Sequence, residues 1–138
     1  MDREEALRRL ADARVGRLAT ADASGRPHVI PLVFAVDGDR IVWAVDEKPK
    51  RTRELRRLAN IATNPRVELV VDAYDEDWTA LWWVRAAGSA RVVDGPDADR
   101  AAEVLAAKYP QYRDHPPAGP FVAIEIERVT GWAAGPSA

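Results

Sequence analysis

The sequence predicts a mainly β fold with small helices, arranged as a six-stranded antiparallel barrel with Greek-key connections. Short turn signals such as "DASGRP" and "DGDR" separate apolar runs of strand length, as they do between the strands of hairpins. Only one or two strand pairs have a helical segment between them, whereas every step of a parallel sheet needs a crossover connection. At 138 residues, we expect one domain over residues 1–138.

Three segments have the spacing of small helices. Residues 2–12 repeat apolar side chains at helical spacing after Asp2, which is a suitable cap. A basic helix over 51–60 ends before Pro65, because proline disfavours helical geometry in the residue before it. A third helix of about ten residues is closed by Pro110.

Six segments are predicted to be strands because they are apolar or alternate in polarity. They lie near 15–21, 27–36, 40–46, 66–74, 81–94 and 121–134. The fifth strand is expected to bend at Gly88, which permits a bulge. The sixth alternates Val122, Ile124 and Ile126 with glutamates, which predicts one buried and one exposed face.

Composition excludes several kinds of site and partner. The chain has no cysteine, which excludes disulfides, thiolate metal sites and cysteine nucleophiles. The sequence has no signal-peptide pattern and no run of about 20 apolar residues, so we expect a cytoplasmic, soluble protein with no membrane partner. A net charge of −2 also disfavours sequence-nonspecific binding of nucleic acid, and no nucleic-acid partner is expected.

A basic segment precedes and enters the second predicted helix. It consists of Lys48, Lys50, Arg51, Arg53, Arg56 and Arg57. Because the chain as a whole is slightly acidic, this local charge indicates a site for one small anion. The two lysines, Arg51 and the Thr52 hydroxyl could surround a phosphate at the first helical turn, and Arg57 could close the site. A solvated helix face with neighbouring glutamates is the open alternative.

The remaining polar residues form no recognised catalytic motif, so the catalytic residues stay unknown. His28 and His115 are the two histidines, and neither has the spacing of a metal site, so no metal is expected. His28 is expected to be a surface or satisfied side chain rather than a general base. The acidic run in "DAYDEDW" lacks the spacing of a calcium loop and is expected to be solvated. Any enzyme activity would therefore rest on a bound cofactor.

Trp82 and Trp83 are adjacent in the fifth predicted strand and must face opposite sides of it. One ring is expected in the core and the other outside, where tryptophan anchors dimer interfaces or forms a wall for a planar ligand. Packing of both rings into two layers of one monomer is the open alternative.

Three stretches carry a resemblance to a known family. They are "GRLATADASGRPHVIPLVF" for the first hairpin, the basic segment into "RRLANIATNPRV", and "DEDWTALWWVRAAGSARVV" for the long strand. From about residue 14 to Trp132 the chain resembles the pyridoxamine 5′-phosphate oxidase-like flavoproteins, which have a split β-barrel. It most closely resembles their branch that binds the deazaflavin coenzyme F420. The resemblance implies a homodimer with two cofactors in grooves between the subunits.

The resemblance also implies a set of cofactor-binding residues. By position, those that hold the phosphate are Lys50, Arg51, Thr52 and Arg57, while Asn60 marks the end of that helix, and the backbone of Ile30, Pro31 and Leu32 lies beside the flavin-type ring. F420 carries a tail of glutamates, so Lys48 and the further arginines would meet charge beyond the phosphate.

One departure from the family pattern bears on the choice of cofactor. Trp83, in "WWVR", falls where oxidase members of the family place a polar side chain against FMN, in a strand of the "RQVR" type. The departure disfavours FMN. The resemblance thus implies an F420-dependent oxidoreductase that transfers a hydride between reduced deazaflavin and an unsaturated small-molecule acceptor. An FMN-binding flavoprotein of the same fold and a non-enzymatic F420 carrier are the open alternatives.

Overall fold

The computed structural model describes residues 1–45 and 51–135, with the backbone alone for residues 51–56. In chain order its elements are α1 (Arg3–Asp12), β1 (Gly16–Ala21), β2 (Pro27–Leu32), β3 (Ala35–Asp37), β4 (Arg40–Ala44), α2 (Arg51–Thr63), β5 (Arg66–Ala73), a 3₁₀ turn (Trp78–Ala80), β6 (Trp82–Val93), α3 (Gly95–Lys108), α4 (Pro110–Asp114) and β7 (Phe121–Ala133). The predicted mainly β, antiparallel architecture with small helices is confirmed.

The strands form one seven-stranded sheet in the order β2-β1-β5-β6-β7-β4-β3. The predicted count of six is wrong, because the segment predicted as one strand over 27–36 forms both β2 and β3. The two are separated by Val33 and Phe34, and they lie at opposite edges of the sheet. Since this link can span at most about 11 Å, the sheet must curl until its two edges approach each other.

The strand pattern breaks at Phe34 because its backbone is bonded to side chains rather than to a strand. The Phe34 N–H donates to the Tyr109 hydroxyl oxygen at 3.3 Å, and Lys108 Nζ donates to the Phe34 carbonyl at 2.9 Å. Both partners lie at the end of α3, 74 and 75 residues further along the chain. Sequence periodicity contains no signal for such distant partners, so it predicts an unbroken strand.

The core fills the concave side of the curled sheet. Alternate strand residues meet there, among them Leu18, Trp43, Leu69, Val84 and Ile124, each at most 1% exposed. The helix α1 contributes Ala6 and Leu10 to the same cluster. Helix α3 packs on the opposite face of β3, β4 and β7, so β4 is buried on both faces and lacks a polar face.

The bend expected at Gly88 is confirmed. The register of β6 against β7 shifts between Ala87 and Gly88, as at a β-bulge. A Cβ at Gly88 would overlap the Glu125 carbonyl oxygen of the neighbouring strand. Only glycine permits this approach of the two backbones.

Helices α1 and α2 lie close to the predicted positions, whereas α3 has 14 residues instead of about ten, and Pro110 begins the short helix α4, which was not predicted. The Asp2 carboxylate accepts from the Glu5 N–H at 2.8 Å, so it caps α1 as expected. Helix α2 continues to Thr63, one turn beyond the predicted end at residue 60. The Asn64 N–H donates to the Asn60 carbonyl, which carries the helical pattern to the residue before Pro65. Within the described part of the chain, no helix is both long and apolar enough to cross a membrane.

Strand β2 has a described neighbour, β1, on one side only. The Asp22 N–H donates to the Arg26 carbonyl, and hydrogen-bonded pairs alternate along two antiparallel strands. The hydrogen-bonded pairs of β1 and β2 are therefore Thr20–His28, Leu18–Ile30 and Gly16–Leu32. Consequently the backbone groups of Pro27, Val29 and Pro31 point to the free edge of β2. The two prolines lack an N–H, so carbonyl oxygens predominate along this edge.

Candidate functional site

A groove of about 410 Å³ opens between the β1–β2 hairpin and α2. Its lining is mostly polar and consists of Asp22, Arg26, Pro27, His28 and Asn60. His28 lies on β2 opposite Thr20 of β1, on the face of the strands that is turned toward α2. The hairpin and the helix therefore bring together side chains that are more than 30 residues apart in sequence.

A buried polar pair joins the two walls of this groove. Asn60 and Thr20 are 7% and 4% exposed, and Asn60 Nδ2 donates to Thr20 Oγ1 at 3.3 Å. Buried amides and hydroxyls are costly unless they are hydrogen-bonded, so this bond fixes α2 against β1. It also orients the Asn60 amide, which lines the groove.

Asp22 stabilises the hairpin turn. Its Oδ1 accepts from the Ser24 hydroxyl at 2.7 Å, and from the Arg26 and Ser24 N–H groups, both at 2.9 Å. These hydrogen bonds, led by the one from the Ser24 hydroxyl, lower the pKa of Asp22. Gly25, with φ of +88°, completes the turn in a conformation that favours glycine. The carboxylate is thus engaged within the turn, and Arg26, His28 and Asn60 supply the N–H donors of the groove.

Helix α2 carries two of the predicted cofactor residues on one face. Arg57 and Asn60 are three residues apart and so lie on the same side of the helix. Arg57 is half-buried. Arg51 and Thr52 form the first turn of α2, where only their backbone is described. Lys48 and Lys50 lie outside the described residues.

The predicted ring-binding residues Ile30, Pro31 and Leu32 all lie on β2, the edge strand beside the groove. The side chains of Ile30 and Leu32 pack against the core from the same face as His28. Pro31 is exposed on the other face, and its carbonyl points to the free strand edge.

Trp83 is not brought to the groove. Trp82 packs against the core with the Arg9 guanidinium 4.9 Å from its ring centroid, whereas Trp83 lies on the other face of β6, under Arg85. The prediction that the two rings face opposite sides is confirmed. Within one protomer, Trp83 and Asn60 are therefore on opposite sides of the sheet.

The face that carries Trp83 has a set of exposed apolar residues. Trp132 lies directly opposite Trp83 on β7 and is 45% exposed, and Val29 on β2 is 63% exposed. We call these residues, with Pro31, the outer face. On this face, Arg17 of β1 and the Glu68–Arg85 ion pair lie between the apolar residues of β2 and those of β6 and β7.

Thr20 and Arg26 were missed by sequence reasoning, and His28 was expected to be a surface or satisfied side chain. The hairpin register contained a usable signal: a turn centred on residue 24 places Thr20 opposite His28. The proximity of Asn60 to this pair depends on how α2 packs, and the strand pattern has no signal for it.

The acidic loop after β5 is held by local hydrogen bonds. Asp77 accepts from the Thr79 hydroxyl at 2.7 Å and from the Thr79 N–H at 3.1 Å. These bonds lower the pKa of Asp77. In the described part of the chain, no group of three or more His, Asp or Glu residues could hold a metal ion.

Comparison with known proteins relates the chain to one family and to several solved structures. The pyridoxamine 5′-phosphate oxidase family matches residues 3–133. An FAD-binding protein from Mesorhizobium loti is 26% identical, with a TM-score of 0.66 over 95% of this chain and 94% of that chain. A heme-binding protein from Mycobacterium smegmatis is 24% identical, with a TM-score of 0.73 over 96% of this chain and 53% of that chain.

Among curated proteins, the chain is similar to a 5a,11a-dehydrotetracycline/5a,11a-dehydrooxytetracycline reductase from Streptomyces rimosus. The two are 39% identical over 57 residues, which is 41% of this chain and 39% of the reductase. The match therefore spans less than half of either protein.

Proposed function

Because the chain belongs to the pyridoxamine 5′-phosphate oxidase family, we propose that it is an oxidoreductase that uses coenzyme F420 to reduce an unsaturated small molecule. The observation that carries this proposal is the groove between the β1–β2 hairpin and α2. Arg26, His28 and Asn60, which all carry side-chain N–H donors, line this space of about 410 Å³. That volume lies within the usual range of sites for small ligands and cofactors.

The donor set fits an anionic cofactor. Arginine binds phosphate by paired, charge-assisted hydrogen bonds, and Asp22, the carboxylate among the described residues that line the groove, is engaged within its turn. Arg57 follows on the same helix face as Asn60, and the predicted phosphate residues Lys50, Arg51 and Thr52 precede it in the chain. The proposed site thus runs from the start of α2 along the groove to β2.

The roles of the chain's own residues follow from this arrangement. Lys50, Arg51, Thr52 and Arg57 would bind the phosphate, and Lys48 would meet the glutamate tail. Ile30 and Leu32 give β2 an apolar surface beside a planar ring, and backbone carbonyls along its free edge can accept from ring N–H groups. F420, when bound, supplies the hydride. The apolar wall excludes water from the ring, which favours an oriented transfer.

The relative from Streptomyces rimosus supports reduction of an unsaturated acceptor. Its stated substrates are dehydro compounds, which are reduced at an unsaturated bond. We propose the same class of reaction for this chain. Loops and a second subunit would build the outer wall of the site and thereby select the acceptor.

We further propose that two copies associate through the outer face. Trp83 lies across the sheet from Asn60 of its own protomer, so a cofactor-contacting role requires the groove of a second copy. The exposed Trp132 and Val29 are apolar residues that such an interface would bury. Sedimentation velocity at micromolar concentration with F420 present is expected to give a dimer. A monomer under these conditions would refute the shared site.

The cofactor is tested by titrating the purified apo-protein with F420 and with FMN in parallel. We expect F420 to bind at least ~10-fold more tightly, a difference of about 1.4 kcal/mol. F420 affinity should also fall more steeply with salt, because its glutamate tail adds ion pairs that salt screens. Equal or tighter FMN binding at low salt would refute the F420 assignment.

A flavoprotein is the second candidate, and the similarity to an FAD-binding protein from Mesorhizobium loti favours it. It predicts a yellow protein that purifies with stoichiometric flavin. Tight F420 binding without reduction of any dehydro compound would instead support a carrier.

A further inference from the structure

The corner between β2 and β3 is held by two side chains from the end of α3. Lys108 Nζ donates to the Phe34 carbonyl at 2.9 Å and to the Ala13 carbonyl at 2.6 Å. The Tyr109 hydroxyl accepts from the Phe34 N–H at 3.3 Å and lies 2.9 Å from the Arg14 carbonyl oxygen. We call these five residues the corner cluster.

The hydrogen bonds of the corner cluster form a closed set. A tyrosine hydroxyl has one proton, and the Tyr109 hydroxyl has two carbonyl acceptors within reach, that of Arg14 at 2.9 Å and that of Phe34 at 3.0 Å. The Arg14 guanidinium donates back to the Lys108 carbonyl at 3.1 Å. Three segments are therefore joined: the α1–β1 link, the β2–β3 link and the end of α3.

The charged groups around Lys108 are Arg14 from the α1–β1 link and Asp12 from the end of α1. Burial and, to a smaller extent, the Arg14 charge lower the pKa of Lys108, Asp12 partly opposes them, and the net pKa is about 8. Burial raises the pKa of Tyr109, so its hydroxyl keeps its proton at neutral pH. At pH 7 both side chains are in the protonation states that the hydrogen bonds require.

Phe34 connects the corner cluster to β2. Its side chain is fully buried, and a Cβ added to Gly16 would lie 3.1 Å from the Phe34 ring. Gly16 is in turn the β1 partner of Leu32, which is two residues before Phe34. Because β2 pairs only with β1 among the described strands, its carboxyl-terminal end is located by that pairing and by the corner cluster.

We propose that Lys108 and Tyr109 are positioning residues for β2, the strand proposed to lie beside the cofactor ring. They hold Phe34 and thereby fix the position of residues 30–32. This inference rests on the proposed function, since it matters for cofactor binding only if β2 lies beside the ring. Lys108 and Tyr109 act through Phe34 and do not themselves line the groove.

The test uses K108M and Y109F in the full-length protein. K108M keeps most of the aliphatic stem and removes the donors, and Y109F keeps the ring and removes the hydroxyl. R100Q is the matched control, because Arg100 joins α3 to Asp37 of β3 at 2.9 Å without contacting the corner cluster.

Hydrogen exchange at pH 7 is the first readout, and it needs no cofactor. Each hydrogen bond contributes about a factor of ten or less to a local opening equilibrium. We therefore expect the hydrogen-bonded amides of His28, Ile30, Leu32 and Phe34 to exchange roughly ten-fold faster in K108M and Y109F. The amides of β6 should be unchanged in both variants, and all of these amides should be unchanged in R100Q. Unchanged exchange in 28–34, or an increase spread over the whole sheet, would overturn the proposal.

The second readout is the affinity and the absorbance spectrum of bound F420 and FMN. We expect the dissociation constant to rise about ten-fold in both variants, and the spectrum at saturation to shift, because the ring wall has moved. If the wild type binds F420 or FMN and both variants match its affinity and spectrum, the positioning role of Lys108 and Tyr109 is overturned while the proposed function stands. A wild type that binds neither cofactor would overturn the proposed function, and the positioning role with it.

Discussion

Replacing both members of the buried Asn60–Thr20 pair tests whether this contact stabilises the fold as a pair. We consider T20V and N60L, which approximately conserve shape, singly and together. Each single variant leaves the other polar group buried, at 7% or 4% exposure, without the bond of 3.3 Å. Leaving a buried polar group unsatisfied costs about 1–3 kcal/mol.

The double variant should lower the free energy of unfolding by much less than the sum of the two single variants, because it leaves neither polar group buried without a partner. We therefore expect a coupling free energy of about 1–3 kcal/mol. With a urea m-value of about 1–3 kcal/mol/M, each single variant lowers the urea midpoint by roughly 1 M. The control is T63V, since Thr63 bonds only to carbonyls of its own helix and is exposed.

Urea unfolding of the four variants and the wild type, followed by circular dichroism, gives these free energies. T63V should change the free energy of unfolding by about 0.5 kcal/mol or less. Additive effects of T20V and N60L would refute the argument, because they would mean that the two side chains are satisfied independently.

Three further predictions follow from other sites. G88A should lower the free energy of unfolding by about 3 kcal/mol, because its Cβ would overlap the Glu125 carbonyl. G25A should lower it by about 1 kcal/mol, because only the backbone conformation is disfavoured there. Equal urea midpoints for the two variants would contradict this difference. Between pH 8 and about 10 the unfolded chain holds the Lys108 proton more tightly than the folded chain. The free energy of unfolding should therefore rise with pH in the wild type but not in K108M, as measured by urea unfolding at each pH. K50A should weaken F420 binding by about ten- to a hundred-fold in a fluorescence titration, with an unchanged circular dichroism spectrum. Unchanged affinity would mean that the basic segment is a solvated helix face.

The strands could be predicted because their periodicity reflects local burial. β5 alternates buried and exposed residues, and the last strand continues to residue 133, as its pattern predicts. The break at Phe34 could not be predicted, since it depends on Lys108 and Tyr109 from a distant helix. The local sequence pattern thus predicts the strands, but it does not predict a strand break that depends on tertiary hydrogen bonds.

The candidate site shows the same division. The basic segment and Asn60 are recognisable from residue type and resemblance, whereas Thr20 becomes significant only when α2 packs on β1. The family resemblance places Trp83 among the cofactor-binding residues, but β6 presents its ring on the face of the sheet away from the groove of the same protomer. A two-residue periodicity predicts that Trp82 and Trp83 point apart, yet it cannot predict which face adjoins the groove.

The free edge of β2 has a consequence for how this protein behaves at high concentration. An incoming strand from another molecule needs alternating donors and acceptors, and an exposed edge that offers both can template aggregation. On β2 the positions of Pro27 and Pro31 offer no donor, so Val29 supplies the one N–H among the three edge-facing residues. An invading chain would find most of its carbonyls unpaired, and β2 can thus remain accessible to a ligand without seeding fibrils.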